Sequence, residues 1–230
     1  MGTAWSEVIT EYAMVEINDI RLNDKLVENP ALFFREMALY MRNAIPRFNL
    51  PQEEQAWLSY TSPKFDSYEY VSDGVGTTVH TGKTGYELFC AEIITTDKFG
   101  NPAASAIVGA SYDAESGDVT LPDGIANGTP ISMDFYADGF FENDLSGEEK
   151  RILGLCVQLV WENRFSGEWL NRIGKAKDKT FSTPNENEGT KANTARMLLL
   201  SKTLNSEMRR YAQNLKYNSV VPRGCRLRRN

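Results

Sequence analysis

The chain has 230 residues, of which 41% are hydrophobic, and a formal net charge of −6. A chain of this size can bury the core of one domain, or of one domain that carries an insertion. No run of about 18 apolar residues could span a bilayer, and the N-terminus lacks a secretory signal. We therefore expect no membrane association and an intracellular origin.

The net charge is divided unevenly along the chain. Residues 1–150 contain 9 Lys and Arg against 25 Asp and Glu, a net charge of −16. Residues 151–230 contain the other 16 Lys and Arg against 6 Asp and Glu, a net charge of +10. Such a division predicts separate surfaces with separate partners, although two merely solvated faces would give the same pattern.

The first part of the chain has helical spacing. Apolar residues recur at that spacing from Trp5 to Tyr12, and Asn18-Asp19 predicts a break before a short helix that ends near Glu28. Asn29-Pro30 is a helix start, with an Asn cap and proline at the first position. The helix that follows is expected to end between Ile45 and Phe48, because Pro46 disfavours its continuation.

The pattern changes to strands and turns between about residues 62 and 136. We expect a small antiparallel sheet or sandwich here, with Glu115-Ser116-Gly117 as one of its turns. The last strand alternates apolar and polar residues, which predicts one buried and one solvated face. The predicted strands are Tyr86–Thr95, Ala104–Tyr112, Asp118–Leu121 and Ile131–Tyr136.

Helical spacing returns after residue 144. Ser146 and Glu149 form a capping box, which predicts a helix from Lys150 to Phe165. Lys175–Gly189 is expected to be an exposed loop, and a final helix is predicted from Thr190 to Tyr217. The final helix carries a near-heptad seam that requires one partner helix; its members are Met197, Leu200, Leu204, Met208, Tyr211 and Leu215.

These elements predict an α+β fold, in which N- and C-terminal helices pack together as a helical bundle and carry an inserted antiparallel β-domain. The predicted divisions are residues 1–61 and 144–218 for the helical core and 62–143 for the β-rich insertion. Residues 219–230 form a basic tail with four arginines: Arg223, Arg226, Arg228 and Arg229.

No pattern in the chain indicates catalysis or a cofactor. His80 is the single histidine, which excludes multi-histidine metal sites. Cys90, Cys156 and Cys225 fit no metal-ligand spacing, and we expect free thiols, with Cys90 and Cys156 in apolar runs. Gly82-Lys83-Thr84 resembles the end of a P-loop, but the glycine that the pattern requires at position 77 is a threonine.

Paired carboxylates are more simply explained as structural groups, and Glu148-Glu149 in particular suit a helix N-terminus. We predict a protein without catalytic activity, without a bound metal and without a cofactor. A hydrolase that uses a carboxylate pair is the less favoured enzymatic alternative.

Two parts of the sequence resemble the head–tail connector (neck adaptor) proteins of tailed bacteriophages. Tyr12–Leu22, Asn29–Phe34 and Ala44–Phe48 resemble their opening helices. Asp144–Leu155, together with the final helix, resembles their closing pair, so that the resemblance covers about half of the chain. The β-rich insertion departs from the smaller, all-helical adaptors.

The resemblance implies a structural virion protein that is assembled in the host cytoplasm. It implies a ring of about twelve copies that lies between the portal protein and the next neck or tail-terminator protein. DNA would pass through the ring without sequence-specific binding, and the four tail arginines, in Arg223–Asn230, would dock on the portal. The open alternative within the same particle is another tail ring or baseplate subunit, such as a tail terminator or a wedge.

Overall fold

The computed structural model describes residues 2–48, 59–75, 77–96, 99–175 and 186–220. Helices occupy both ends of this part of the chain, and antiparallel strands occupy the middle. The protein is therefore an α+β protein with antiparallel sheets, which confirms the predicted class.

The first helices begin and end close to the predicted positions. A helical run comprises α1 (Trp5–Glu7), a π-helical segment (Val8–Ala13) and α2 (Met14–Ile17). Asn18 ends the run in the left-handed region with φ of 48°, a conformation that Asn tolerates better than most residues. Helix α3 (Ile20–Glu28) then begins with Asp19 as its cap, whose carboxylate accepts a hydrogen bond from the Arg21 amide at 2.8 Å.

Helix α4 (Pro30–Ala44) begins at the predicted Asn-Pro start. The Asn29 side chain accepts a hydrogen bond from the Leu32 amide at 2.9 Å. The helix passes into a 3₁₀ turn, Ile45–Arg47, where Pro46 prevents continued α-helix. The helix has an apolar stripe that is buried, with Phe33, Met37, Ala38, Met41 and Ala44, and Ile45 just after it, in the core.

The middle of the chain contains nine described strands in three antiparallel sheets. The largest sheet has the order β2-β8-β4-β5, a second has the order β3-β7-β6, and β1 pairs with β9. The strands are β1 (Tyr60–Thr61), β2 (Lys64–Val71), β3 (Thr78–His80), β4 (Glu87–Thr96), β5 (Pro102–Ala106), β6 (Ser111–Asp113), β7 (Asp118–Thr120), β8 (Pro130–Ala137) and β9 (Phe140–Phe141).

Strands β4, β7 and β8 confirm three of the predicted strands, and β6 and β7 flank the predicted Glu115-Ser116-Gly117 turn. The prediction of one strand from Ala104 to Tyr112 is wrong. This segment contains parts of β5 and β6, which belong to different sheets. Gly109, with φ of 90°, lies between them, and such a conformation cannot continue a strand.

The predicted solvated face of β8 is confirmed at Ser132 and Asp134, which are half-buried, but not at Tyr136. Tyr136 is only 3% exposed, and its ring stacks on Phe34 of α4 with centroids 5.4 Å apart. The side chains alternate along β8 as predicted, but α4 covers the polar face at Tyr136.

Two long helices complete the described chain: α5 (Gly147–Lys175) and α6 (Glu186–Val220). Helix α5 continues past the predicted end at Phe165, and α6 begins inside the segment predicted to be a loop; residues 176–185 lie outside the described residues. The predicted capping box is confirmed, because the Ser146 amide donates to Glu149 at 2.6 Å and the Glu149 amide donates to Ser146 Oγ at 3.4 Å.

Helix α5 is the central helix of the helical part. It contacts the π-helical segment, α4 and α6. The seam of α6 faces it as predicted, with Leu204 and Tyr211 buried and Leu200, Met208 and Leu215 partly buried against the same core. Gly154 allows α5 and the π-helical segment to pack closely, since a β-carbon at this position would lie 3.1 Å from the backbone of Tyr12 and Ala13.

The buried residues form two clusters, one among the helices and one among the strands. Hydrogen bonds from the N-terminal segment join them: the Trp5 amide donates to Gly139 O at 2.8 Å, and the Leu145 amide donates to Thr3 Oγ1 at 2.8 Å. The C-terminal end of the β-rich segment is therefore held at the start of the chain. The predicted domain boundaries stay a prediction.

Candidate interaction surfaces

Helix α6 is attached to α5 by polar contacts as well as by its apolar seam. The Tyr211 hydroxyl donates to Glu149, a residue that is only 6% exposed. Near the other end of the helix pair, Arg196 Nη2 lies 2.6 Å from Glu162 Oε1. Burial raises the pKa of Glu162, and Arg196 lowers it in part.

The opposite side of α6 faces solvent. Leu198 and Leu199 are 57% and 66% exposed, and basic residues continue the surface along the helix, with Lys202 and Arg209 lining a shallow groove. This outer face of α6 combines exposed leucines with positive charge. It belongs to the part of the chain that carries the positive excess.

An aromatic group lies between α4 and the largest sheet. Phe34 stacks on Phe89 with centroids 5.9 Å apart, and Phe89 stacks on Tyr136 at 4.8 Å. Burial and the hydrogen bond to Asp138 raise the pKa of Tyr136 far above its ordinary value. Asp138 also accepts the Ser6 amide at 3.1 Å, so this carboxylate links the sheet to α1.

A cleft of about 280 Å³ lies between the start of α4 and strands β2 and β8. Its polar lining includes Arg35, Asp66 and Asp134. Asp66 is paired with Lys83, and Asp134 lies 3.8 Å from the Cys90 thiol. Both carboxylates therefore already have partners within the fold.

The structure gives the residues of the Gly82-Lys83-Thr84 motif structural contacts. Lys83 pairs with Asp66, and the motif leads through a turn into β4 rather than into a helix. A P-loop requires a helix N-terminus at this place to receive phosphate. The rejection of that motif is thus supported by its surroundings.

His80 lies on β3 and faces solvent, with its side chain 82% exposed. Its Nδ1 atom lies 2.6 Å from Asp118 Oδ1 on the neighbouring strand β7. His80 and Asp118 lie directly opposite each other in the antiparallel β3–β7 pair. It is a cross-strand contact of the kind that stabilises sheets.

Cys90 and Cys156 are free thiols, as predicted. Cys156 is buried, and burial raises its pKa to about 12; Cys90 is half-buried, and its pKa is raised to about 11, mainly by burial. Neither thiol is activated, because a reactive cysteine needs a lowered pKa. Cys225 lies outside the described residues.

The predicted partner-binding residues Arg223, Arg226, Arg228 and Arg229 also lie outside the described residues. Within the described ranges, no three His, Cys, Asp or Glu side chains are grouped as metal ligands would be. None of the helices in those ranges is long and apolar enough to cross a membrane. The candidate interaction surfaces in the described part of the chain are the outer face of α6 and the two outer edges of the largest sheet.

Those edges are the free sides of β5 and β2. All five residues of β5 are exposed, and none of them is charged. Strand β2 has Ser67, Glu69 and Val71 exposed. Among the described strands, neither outer edge is paired, so both carry backbone donors and acceptors that another strand could bind.

Comparisons of the sequence with protein-family models and with curated proteins found no match.

Proposed function

We propose that this protein is a structural virion protein, a subunit of a head–tail connector ring that joins the portal to the tail and surrounds the DNA channel. The observation that carries the proposal is the packing of helices from both chain ends around α5. The segments that resemble the opening and closing helices of connector proteins lie in these same helices. In the proposal, they form the bundle core of the connector, with the β-rich segment as its insertion.

The charge distribution supports a ring of like subunits. Residues 1–150 carry a net charge of −16 and residues 151–230 carry +10. A head-to-tail contact in a ring joins two different surfaces of the same chain, and opposite charges on those surfaces favour it. Acidic side chains that face the channel would repel DNA and let it slide past.

The basic tail is the proposed link to the portal. Arginine forms bidentate hydrogen bonds with carboxylates, so that Arg223, Arg226, Arg228 and Arg229 suit an acidic groove on that neighbour. Each exposed pair contributes only about 0.2–1 kcal/mol. About twelve copies would repeat the contact, and the avidity of the ring would make the set effective.

In this role the protein has no catalytic activity and no cofactor. Its partners are further copies of itself, the portal protein, and the next neck or tail-terminator protein, and its location is the virion. A tail terminator or a baseplate wedge would share the ring-forming helices but would lie elsewhere in the particle.

The proposal is tested by locating the protein in intact particles by electron cryomicroscopy. A closed ring of about twelve copies directly below the portal is expected. Density at the far end of the tail would assign the protein to the baseplate instead. A monomer or a simple dimer in the particle would overturn the ring.

The portal contact is tested separately with purified proteins. Replacement of the four tail arginines by alanine should abolish co-sedimentation with portal rings and leave self-assembly intact. Replacement by lysine keeps the charge but removes the bidentate geometry, so binding should be weakened rather than lost. Normal portal binding by the alanine variant would place the docking role on another surface.

A further inference from the structure

The outer edge of β5 is suited to pair with another strand. Pro102–Ala106 consists of proline, three alanines and one serine, and every residue is exposed. Edge strands usually avoid association through charged side chains, bulges or proline. Here only Pro102, at the first position, provides such protection.

The hydrogen bonds of β5 show which backbone groups point outward. The Ile107 amide donates to Ala91 O on β4 at 2.7 Å. Because inward and outward groups alternate along an antiparallel strand, Ser105 and Ala103 also bond to β4. The backbone N–H and C=O groups of Ala104 and Ala106 therefore point away from the sheet.

The same reasoning applies to the opposite edge, on β2. The Ser72 amide donates to Thr129 O at 2.9 Å, at the end of the β2–β8 ladder. Alternation then directs the backbone groups of Ser67, Glu69 and Val71 outward. The Ser67 amide is already bound by the side chain of Asp66 at 2.9 Å, which leaves the groups of Glu69 and Val71.

The two edges are complementary in direction. The sheet has the order β2-β8-β4-β5, with each neighbouring pair antiparallel. In a sheet with an even number of such strands, the two outer strands run in opposite directions. If copies stand side by side in the same orientation, β5 of one therefore meets β2 of the next as an antiparallel pair.

The edges are also complementary in register. One row across the sheet runs through Ala106, Glu92, Ser132 and Glu69. Ala104 and Val71 lie two residues further along and share the next such row. Copies placed level with each other would thus bring Ala106 opposite Glu69 and Ala104 opposite Val71, the positions whose backbone groups point outward on both edges.

Exposed apolar side chains lie at the same end of both edges. Phe99, which precedes β5, is 89% exposed; Val71, the last residue of β2, and Val75, which follows the strand, are 61% and 91% exposed. Side-by-side pairing would bring these side chains towards one another. Burial of apolar surface would then add to the backbone hydrogen bonds.

We propose that β5 of one copy pairs with β2 of the next copy, so that the largest sheet continues from subunit to subunit. The partner is a second copy of this chain, because the chain itself carries both matching edges. Such β-augmentation binds through main-chain hydrogen bonds. The inference deepens the proposed ring, and it rests on that proposal for the closure of the ring.

The first test is the substitution Ala104→Pro. Proline removes an outward N–H and leaves the bonds to β4 in place. Sedimentation velocity over a concentration series should show self-association of the unaltered protein and at least about tenfold weaker association of the variant. The control Ala104→Val keeps the N–H and should associate like the unaltered protein; circular dichroism verifies that both variants are folded.

The second test uses a short thiol-reactive crosslinker and the double variant Ala104→Cys, Val71→Cys. Head-to-tail pairing should produce a ladder of crosslinked species above the background given by the native cysteines. Each single variant should give no ladder. Strong dimer formation by Ala104→Cys alone would show symmetric pairing of two β5 edges and would overturn the inference.

The outcomes separate this inference from the proposed function. A ring that still forms with Ala104→Pro and without crosslinks overturns the sheet contact and leaves the connector role standing. Crosslinked ladders from a protein that lies elsewhere in the particle support the contact and overturn the connector role. A protein that stays monomeric throughout the concentration series overturns the contact.

Discussion

The helical region (residues 2–48 and 144–220 of the described chain) and the β region (residues 59–143 of the described chain) bury their apolar residues in different ways. The helices join the two chain ends in one large cluster, which includes Trp5, Phe33 and Leu153 at 0% exposure. The strands enclose a smaller cluster between two sheets and leave both edges of the largest sheet unpaired among the described strands.

We interpret this difference as a division between stability of the fold and contact with other chains. A continuous core of large side chains makes the helical region the main source of stability, because stabilisation follows buried apolar area. The β region has less core and more open edge, and is therefore the region better suited to contacts with other chains.

The largest effects are expected from one methionine in each core. Met41 in α4 and Met133 in β8 are both 0% exposed, and replacement of either by alanine should lower the free energy of unfolding by about 2–5 kcal/mol. Met41→Ala should loosen both regions, since the β region is held by the helices. Met133→Ala should loosen the β region alone, as measured by hydrogen exchange in each region.

Hydrogen exchange measured in each region shows directly whether the helical region and the β region unfold separately. Faster exchange in α4 and α5 of Met133→Ala would show that the two regions unfold as one cooperative unit. Leu39→Ala, at a position that is 50% exposed on α4, is the surface control and should change stability little.

The next largest effect concerns the attachment of α6. Tyr211→Phe removes the hydroxyl that donates to the buried Glu149 carboxylate, and an unsatisfied buried acceptor costs about 1–3 kcal/mol. Urea denaturation should detect the loss. In a double-mutant cycle with Glu149→Gln the two losses should not add; additive losses would mean that the contact contributes no coupling.

A smaller effect is expected at the start of α4. Asn29→Ala removes the cap that accepts the Leu32 amide, which should lower stability by about 1 kcal/mol. Asn23→Ala is the matched control, because Asn23 is an exposed residue inside α3. Equal effects of the two substitutions in thermal denaturation would contradict the capping role.

The smallest effect is a pH dependence at Glu162. Burial raises the pKa of this carboxyl in the folded protein above its ordinary value of 4.5. Its charged form therefore opposes folding at neutral pH, and this penalty is relieved as the pH falls through the raised pKa. Glu162→Gln should be more stable than the unaltered protein at pH 7, by a margin that narrows towards pH 4.5.

Urea denaturation at a series of pH values measures that margin. Glu11→Gln, at an exposed position, serves as the surface control. A margin that grows as the pH falls would mean that the ion pair with Arg196 outweighs the cost of burial.

Local sequence signals were sufficient for the starts of helices and for single strands. Asn29-Pro30, the Ser146 and Glu149 capping box and the alternation of Ile131–Tyr136 each depend on neighbours within a few residues. The apolar seam of α6 was also predictable from the sequence, because the helical period fixes which side chains share a face. These features follow from the sequence without any tertiary contact.

Tertiary structure decided which surfaces are covered. Tyr136 reads as solvated, yet α4 buries it beneath Phe34. Residues 104–112 read as one strand, yet they are divided between two sheets on either side of Gly109. The sequence determined the local conformations, because these follow from backbone sterics and short-range hydrogen bonds. The burial of polar faces and the free edges of β2 and β5 depend on contacts between residues far apart in the chain, which no local pattern encodes.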